Sequence, residues 1–302
     1  MTAVAVAGTC YGFSVDSPLP FAYLRGGMGE PLEVRADGEQ GNRPEDELAR
    51  VWTPRPDAAW TARLYRSGDG FRVSIGDAGW FEVDPGGPRI GLPQGGETPI
   101  RREERLWGIP ALLCFLRRGD VPLHAAVIEV DGEALLIAGP SGAGKTTLAA
   151  AFVAAGHRLL SEDLACLRRG DRLEVVPGPA MLRLRTDVAR RLSVAGVEVG
   201  RDDDRVHIAL PEEGRGTCEP VPVRGIVLIH GEADDVELAR VPPIEALPDL
   251  WTLSFNLPDH ADRARCFDAI AGLAERCPVW SLRRPLRYDA LDATVAALAA
   301  LR

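Results

Sequence analysis

One short segment of the chain carries the residue types that bind phosphate. Residues 139–147 read Gly-Pro-Ser-Gly-Ala-Gly-Lys-Thr-Thr and satisfy the pattern G-x-x-x-x-G-K-[ST]. In such a P-loop the backbone N–H groups surround phosphate oxygens, the lysine reaches the β- and γ-phosphates, and the hydroxyl ligates Mg²⁺. Lys145 is the only lysine among the 35 Lys and Arg residues. Because a planar guanidinium cannot replace a compact ammonium here, the sequence predicts a nucleotide-phosphate site.

The flanks of this segment supply the elements that must position it. Residues 134–138 form a short apolar run typical of a buried strand. Residues 147–155 are rich in helix formers and stop at Gly156, which favours a helix C-cap. A strand, a Gly-rich turn and a helix in this order direct the helix N-terminus at one anion. The residues predicted to bind the phosphates are Gly139, Ser141, Gly142, Ala143, Gly144, Lys145, Thr146 and Thr147.

Composition sets broad limits on function. The formal net charge of −9 disfavours a general nucleic-acid binder, because such proteins present a basic face. The early apolar run at residues 4–7 is too short for a signal-peptide core or a membrane span. The six cysteines include no C-x-x-C pair and are typical of free thiols in a reducing cytosol. The sequence therefore predicts a cytoplasmic protein that binds neither nucleic acid nor membrane.

The chain changes character near residue 100. Before it, short β-like runs alternate with Gly, Pro and Asp turns, and the polar stretch 35–50 is predicted to be a loop. After it, strand-like and helix-like segments alternate around the P-loop. We therefore predict a small β-rich N-terminal domain, residues 1–100, for which substrate recognition is a plausible role. Residues 101–302 are predicted to form a P-loop domain of the α/β (α+β) class.

Several elements of the second part can be placed from local signals. A helix is predicted between residues 103 and 118, starting or kinking at Pro110. The dipeptide Asp131-Gly132 between two apolar runs predicts a hairpin, and Gly170-Asp171 predicts a second one. The polar stretch 199–220 is predicted to be a loop. Further helices are predicted at residues 244–252, 261–276 and 287–302.

Three further features could perform chemistry beside a phosphate. Glu162 and Asp163 follow a predicted strand, where carboxylates can hold Mg²⁺ or accept a proton from an attacking hydroxyl; a solvated turn is the alternative. His124 begins a strand before the P-loop, although a lone histidine is more often structural. No conventional Walker B acid follows the apolar run 226–229, where Glu232 is one candidate and a core strand running into a turn is the other interpretation.

These residues together resemble a known family. The catalytic domain of HPr kinase/phosphorylase is similar to the segment His124-Ala125-Ala126, the Asp131-Gly132 turn, the P-loop and the run Gly156-His157-Arg158-Leu159-Leu160-Ser161-Glu162-Asp163. More closely, the segment resembles the HPr-kinase-like serine kinases of bacterial peptide-modification clusters, including those for lasso peptides. The likeness is motif-specific over residues 122–165 and looser toward the C-terminus, where residues 278–284 also resemble these kinases.

The resemblance implies a role for each matching residue. His124 would orient the acceptor or its leaving phosphate, and Lys145 and Thr146 would hold ATP and Mg²⁺. Glu162 occupies the place of the family's first acid, the proposed general base. Asp163 occupies the place of the second acid, on the metal side, so Thr146 and Asp163 are the predicted metal ligands.

Two positions depart from the family pattern. The first acid is normally Asp, so Glu162 lengthens the reach by one methylene and leaves the choice of base between Glu162 and Asp163 open. The acid that follows the P-loop serine in HPr kinase is Thr147 here. This change weakens one Mg²⁺ contact and puts the reverse, phosphorylase reaction in doubt.

The resemblance implies an ATP- and Mg²⁺-dependent kinase that transfers the γ-phosphoryl group to a serine hydroxyl. The implied acceptor is a peptide or small protein, with a lasso-precursor-like peptide favoured, and the resemblance permits a homo-oligomer. Arg183, Arg185 or an arginine of the 199–220 stretch is expected to complete the charge clamp. Two alternatives share the motifs: an ATP-sensing regulatory P-loop protein with little turnover, and a small-molecule kinase acting on a serine-like alcohol.

Overall fold

The computed structural model describes residues 8–17, 19–53, 61–76, 78–84, 86–94, 98–201, 204–211, 218–257 and 259–302. The apolar run at residues 4–7 and part of the predicted loop 199–220 lie outside these ranges. In the described part of the chain, no helix is long and apolar enough to cross a membrane. The α-helices of these ranges are α1 (Pro99–Leu106), α2 (Ile109–Arg117), α3 (Lys145–Ala154), α4 (Thr186–Arg191), α5 (Pro243–Leu253), α6 (His260–Arg276) and α7 (Leu291–Ala299).

An eight-stranded sheet occupies the N-terminal part, in the spatial order β1-β2-β3-β8-β7-β6-β5-β4. Alternation along the strands places one face inside, as where Phe81 and Val83 are buried while their neighbours are more exposed. Helices α1 and α2 pack on this face through Trp107 and Phe115. The strands are β1 (Thr9–Cys10), β2 (Phe13–Asp16), β3 (Glu30–Gly38), β4 (Glu47–Trp52), β5 (Ala62–Ser67), β6 (Gly70–Ile75), β7 (Trp80–Asp84) and β8 (Arg89–Pro93).

A second, nine-stranded sheet carries the P-loop. Its main path is β12-β10-β11-β18-β14-β13-β9, and β20 pairs with both β18 and β19. Strands β11, β18 and β20 run parallel to one another, so their carboxyl ends lie at one edge. The strands are β9 (Val121–Leu123), β10 (Ala125–Val130), β11 (Glu133–Ala138), β12 (Arg158–Ser161), β13 (Ala165–Arg169), β14 (Leu173–Val176), β18 (Val221–Glu232), β19 (Glu237–Arg240) and β20 (Val279–Arg284).

The predicted α/β (α+β) class with a β-rich N-terminal part is confirmed. The Asp131-Gly132 hairpin joins β10 to β11, and both residues have positive φ, 52° and 79°, as a type I′ turn requires. The predicted second hairpin is present as β13 and β14. The three predicted C-terminal helices correspond to α5, α6 and α7, the last preceded by a 3₁₀ turn, Tyr288–Ala290. The domain boundary near residue 100 stays a prediction.

Three local predictions need correction. Half of the stretch 35–50 is strand, because β3 extends to Gly38 and β4 begins at Glu47, and only residues 39–46 between them form a loop. The stretch 199–220 contains parts of an antiparallel pair, β16 (Val197–Arg201) and β17 (Arg205–Ala209), which forms a small third sheet with β15 (Met181–Arg185). Because residues 199–220 are mostly polar, the sequence did not predict that strands pair there. The helix predicted over 103–118 is divided: α2 starts at Ile109, which agrees with the predicted start at Pro110, and residues 103–106 belong to the separate helix α1. Pro110 sits in the first turn of α2, where its missing N–H costs nothing.

Glu103 on α1 connects this helix to the N-terminal part of the chain. Its side chain is 3% exposed and accepts the backbone N–H groups of Ala22 and Tyr23, at 2.6 and 3.0 Å, and the indole N–H of Trp107 at 3.2 Å. Burial raises its pKa to about 7 against the opposing effect of these hydrogen bonds. Glu103 therefore satisfies three buried donors but is costly in its ionised form.

Replacing Glu103 with alanine is expected to lower the free energy of unfolding by about 3 kcal/mol, because three N–H groups lose their acceptor. The raised folded pKa means that wild-type stability falls as pH rises from about 4.5 through 7. The cost of the substitution should therefore be larger at pH 5 than at pH 8. Urea unfolding at both pH values measures it, with exposed Glu47→Ala as the control. A smaller cost at pH 5 than at pH 8 would contradict this account.

Candidate active site

The P-loop connects β11 to α3 at the carboxyl edge of the nine-stranded sheet. Gly142 and Gly144 have φ of +85° and +90°, a region that other residues rarely adopt. Gly144 is the N-cap of α3, and the first helical hydrogen bond runs from the Leu148 N–H to its carbonyl at 3.0 Å. The N–H groups between these residues have no partner within the helix. The loop and helix end thus form an anion site of the predicted kind.

Lys145 folds back over the loop. Its Nζ donates to the carbonyl oxygens of Gly139 and Pro140 at 2.8 and 3.1 Å. The residue is 6% exposed, and burial lowers its pKa although Asp163 and Glu162 oppose the shift. Among the described residues no carboxylate forms an ion pair with it. The ammonium is therefore held at the mouth of the loop by carbonyl dipoles alone, and an anion bound there would supply the missing charge.

Glu162 and Asp163 follow β12 and lie beside the first turn of α3. Thr146 Oγ1 donates to Glu162 Oε1 at 3.1 Å, and Arg183 Nε donates to Glu162 Oε2 at 3.0 Å. Arg183 Nη2 also lies 3.4 Å from Asp163 Oδ2. The Glu162 side chain is 2% exposed, whereas that of Asp163 is 50% exposed. One guanidinium thus joins a buried and a half-exposed carboxylate.

The two acids differ in their electrostatic environment. Burial raises the pKa of Glu162, and the charge of Arg183 only partly opposes this. Partial burial would also raise the pKa of Asp163, but nearby His124 when protonated, together with the charges of Arg183 and Lys145, outweighs it and lowers that pKa. Asp163 is therefore the acid that is more firmly ionised at neutral pH.

His124 lies between β9 and β10 and turns its ring toward Asp163. Its backbone N–H donates to Leu253 O at 2.8 Å. Its Nδ1 lies 3.0 Å from the Asp163 backbone carbonyl and 3.4 Å from Asp163 Oδ1. Because both neighbours are acceptors, the proton of the neutral ring belongs on Nδ1. The second ring nitrogen, Nε2, is then free to accept a hydrogen bond.

The structure thus brings together five residues that the sequence singled out: His124, Lys145, Thr146, Glu162 and Asp163. Other candidates lie elsewhere. Arg185 pairs with Asp187 on the surface, and Glu232 is an exposed residue at the end of β18, whose preceding residues are core. Residues 226–229 are accordingly a buried part of β18, and the strand continues through the exposed residues His230, Gly231 and Glu232.

The sequence did not reveal how the N-terminal part supports this site. The Arg25 side chain is buried and donates through Nη2 to the carbonyls of Leu159 and Leu160 at 2.8 and 3.0 Å. The Tyr11 hydroxyl donates to Leu164 O at 3.0 Å. These contacts secure the strand before the acid pair and the residue after it. No local pattern could indicate them, because the partners are far apart in the chain.

The donor set fits a magnesium ion bound together with a nucleotide. Mg²⁺ in such sites takes one or two carboxylates, a hydroxyl and phosphate oxygens. Thr146 could supply the hydroxyl, and either of the adjacent acids, Glu162 or Asp163, could supply a carboxylate. In the part of the chain that the structure describes, no three or more His, Cys, Asp or Glu side chains come together as a metal cage.

Replacing Arg183 with leucine is expected to lower the free energy of unfolding by about 3–5 kcal/mol near pH 8, because it leaves Glu162 buried without its partner. The loss should shrink at pH 5, since the raised pKa lets Glu162 bind a proton in the folded state. Denaturant unfolding at the two pH values measures this. Arg185→Leu, which removes an exposed ion pair, is the control and should change stability by less than about 1 kcal/mol. An equal loss at both pH values would contradict the prediction.

Comparisons with known proteins agree with the resemblance seen in the sequence. No family model matches the chain. The chain is 37% identical over 62 residues to an HPr kinase/phosphorylase of Exiguobacterium sp., covering 20% of each protein. It is 32% identical over 76 residues to that of Chloroherpeton thalassium, covering 25% of this chain and 22% of the relative. The predicted resemblance to HPr kinase/phosphorylase is thus confirmed, over stretches that span about a fifth of the curated relatives.

The Hpr(Ser) kinase/phosphatase from Coxiella burnetii superposes with a TM-score of 0.31 at 12% identity, covering 58% of this chain and 91% of that chain. This likeness is too weak to carry an argument.

Proposed function

We propose that this chain is an ATP- and Mg²⁺-dependent phosphotransferase that transfers the γ-phosphoryl group to a serine hydroxyl of a peptide or small protein. One observation carries the proposal. The P-loop residue Thr146 is hydrogen-bonded to Glu162, and the adjacent Asp163 faces His124, so phosphate-binding and proton-accepting groups share one site. The curated relatives that match part of the chain are HPr kinase/phosphorylases. A P-loop that only bound phosphate would not need Asp163 and His124 beside it.

Phosphoryl transfer needs positioning and charge neutralisation more than covalent chemistry. Bound Mg²⁺-ATP supplies the phosphoryl group and spreads its charge. The loop N–H groups and Lys145 orient the phosphates, and Thr146 presents its hydroxyl to the metal. Arg183 fixes the two acids relative to the loop, which sets the distance between the phosphate chain and the group that receives the proton.

The contacts support roles for Glu162 and Asp163 that differ from those implied by the family resemblance. Glu162 is buried and bonded to Thr146, the predicted metal ligand, which places Glu162 on the metal side. Asp163 is half-exposed, ionised and next to His124, so an incoming hydroxyl can reach it. We assign proton acceptance to Asp163 and metal support to Glu162. His124, through Nδ1–H, positions Asp163 and leaves Nε2 toward the acceptor.

We also propose that the reaction takes place in the cytoplasm and that the N-terminal part of the chain assists it. The six cysteines are all buried free thiols, compatible with a reducing, ATP-containing cytoplasm. The N-terminal part, residues 1–100, would brace the site through Arg25 and Tyr11 as well as recognise the acceptor. A homo-oligomer and a lasso-precursor-like acceptor remain predictions from the resemblance.

Incubation with Mg²⁺-ATP and three acceptors tests the proposal: an HPr-type protein, serine-containing precursor peptides and free serine. Intact-mass measurement should show one added phosphate on a peptide or protein. Addition only to free serine would show a small-molecule kinase instead. No addition to any acceptor, together with a partner that binds only in the presence of ATP, would favour the ATP-sensing regulator and overturn the kinase.

A further inference from the structure

Arg284 ends β20 at the same sheet edge as the P-loop. Because β11, β18 and β20 are parallel neighbours, their carboxyl ends meet at one edge, where α/β sheets bind ligands. The P-loop leaves this edge from β11. Arg284 occupies the edge two strands away, and its side chain is buried, with 3% exposure. Arg284 is not among the arginines that the sequence predicted for the charge clamp, which were Arg183, Arg185 and those of residues 199–220.

The Arg284 guanidinium lacks an anionic partner among the described residues. Its Nη1 donates to Pro285 O at 3.0 Å, and its Nε has no hydrogen-bond partner. No carboxylate lies within ion-pair distance in the described ranges, and burial lowers its pKa. The adjacent Arg283 behaves in the opposite way: it is 53% exposed and pairs with Glu237 at 2.9 Å. A buried, unpaired cation is costly unless something compensates its charge.

The side chain points at the N-terminus of α3. A Cβ added to Gly144 would lie 2.5 Å from Arg284 Nη2, so the guanidinium rests against the helix N-cap. The positive end of the helix dipole and the Lys145 ammonium lie at the same place. Three positive features converge there, and the described residues offer Arg284 no anion. A glycine at 144 is required both by its φ of +90° and by the space that the guanidinium occupies.

We propose that Arg284 binds the polyphosphate chain of the nucleotide at the P-loop. The inference rests on the proposed function and adds a phosphate-binding residue to it. Arg183 cannot take this role in the same way, because it is already engaged by Glu162 and Asp163. Arg284 has a free Nε donor and an Nη2 that faces the loop, and charge-assisted hydrogen bonds to phosphate are the strong ones. Its ligand class is an inorganic or nucleoside di- or triphosphate.

The test compares Arg284→Met with Arg283→Met, a matched change one residue away on the same strand. Calorimetric titration with ATP and with inorganic triphosphate should show affinity for both lowered at least about tenfold in Arg284→Met and unchanged in Arg283→Met. Thermal unfolding without ligand distinguishes a phosphate-binding residue from one that only stabilises the fold. Because Arg284 is an uncompensated buried cation, Arg284→Met should unfold at the same or a higher temperature than wild type.

The possible outcomes separate phosphate binding by Arg284 from the proposed phosphotransferase function. If Arg284→Met binds ATP within about twofold of wild type while Lys145→Ala does not bind it, Arg284 is no phosphate ligand and the proposed function stands. If Arg284→Met unfolds at a clearly lower temperature and Arg284→Lys restores stability without restoring triphosphate affinity to within tenfold of wild type, the phosphate contact holds alongside a packing role. Restoration of stability together with wild-type affinity in Arg284→Lys would overturn the need for the guanidinium. If wild type binds neither ATP nor inorganic triphosphate, both proposals fail.

Discussion

Lys145→Ala is expected to lower the rate of phosphoryl transfer at least about a hundredfold, the size of effect seen when one preorganised donor to a developing charge is lost. Among the described residues, the Nζ atom donates to the carbonyls of Gly139 and Pro140 and pairs with no carboxylate, so its charge is available to a bound anion. Burial lowers its pKa, which means that the protein bears a cost to keep this charge in place. Removal of the side chain should therefore leave the fold intact and the phosphates without their cation.

Steady-state transfer rates and circular dichroism of the purified variant measure the two parts of this expectation. Arg185→Ala removes a cation that is 68% exposed and pairs only with Asp187 among the described residues. It serves as the control and should transfer phosphate at the wild-type rate. A folded Lys145→Ala protein that works within tenfold of wild type would contradict the role of the P-loop.

Asp163→Asn is expected to lower kcat by about 10²–10⁴, because an amide cannot accept the hydroxyl proton. The asparagine fills nearly the same space, and Asp163 is half-exposed, so the protein should remain folded. The Mg²⁺ concentration needed for half-maximal rate should change little. Because the pKa of Asp163 is lowered, titration of this carboxylate should not reduce the wild-type rate between pH 8 and pH 5.

Glu162→Gln is the matched comparison. Its amide removes the negative charge beside Thr146 but keeps the shape, so we expect a higher Mg²⁺ requirement as the main effect. Measurement of kcat across a Mg²⁺ series separates the two variants. If Glu162→Gln lost turnover at every Mg²⁺ concentration and Asp163→Asn instead needed more metal, the roles would be the reverse of those proposed and would match the family assignment.

The parts of the site that the sequence predicted are the local ones. A strand, a Gly-rich turn and a helix succeed one another within about twenty residues, so the P-loop, Lys145 and Thr146 follow from short-range pattern. Glu162 and Asp163 follow the first strand after the helix, and that strand pairs with β10, next to the P-loop strand. Nearness to the loop was therefore a reasonable expectation from chain order alone.

The parts that the sequence missed depend on long-range pairing. The sequence alone could not separate Arg183 from the other arginines that it offered for the charge clamp. The antiparallel sheet of β15, β16 and β17 places Arg183 against the two acids. Arg284 could be placed beside Gly144 only through the parallel alignment of three strands. Residues 199–201 and 205–209 were missed because glycine and charged residues there outweighed the weak alternation of a short strand. The same difficulty affected residues 35–50.

Transfer of label from ATP to a serine hydroxyl tests the central claim most directly. The protein would be incubated with Mg²⁺ and a serine-containing peptide or HPr-type protein, once with ATP labelled at the γ-phosphate and once with ATP labelled at the α-phosphate. The account predicts label on the acceptor serine from the γ-position only, and none with Lys145→Ala. Tight binding of ATP by the wild type with no label on any acceptor from either position would contradict it.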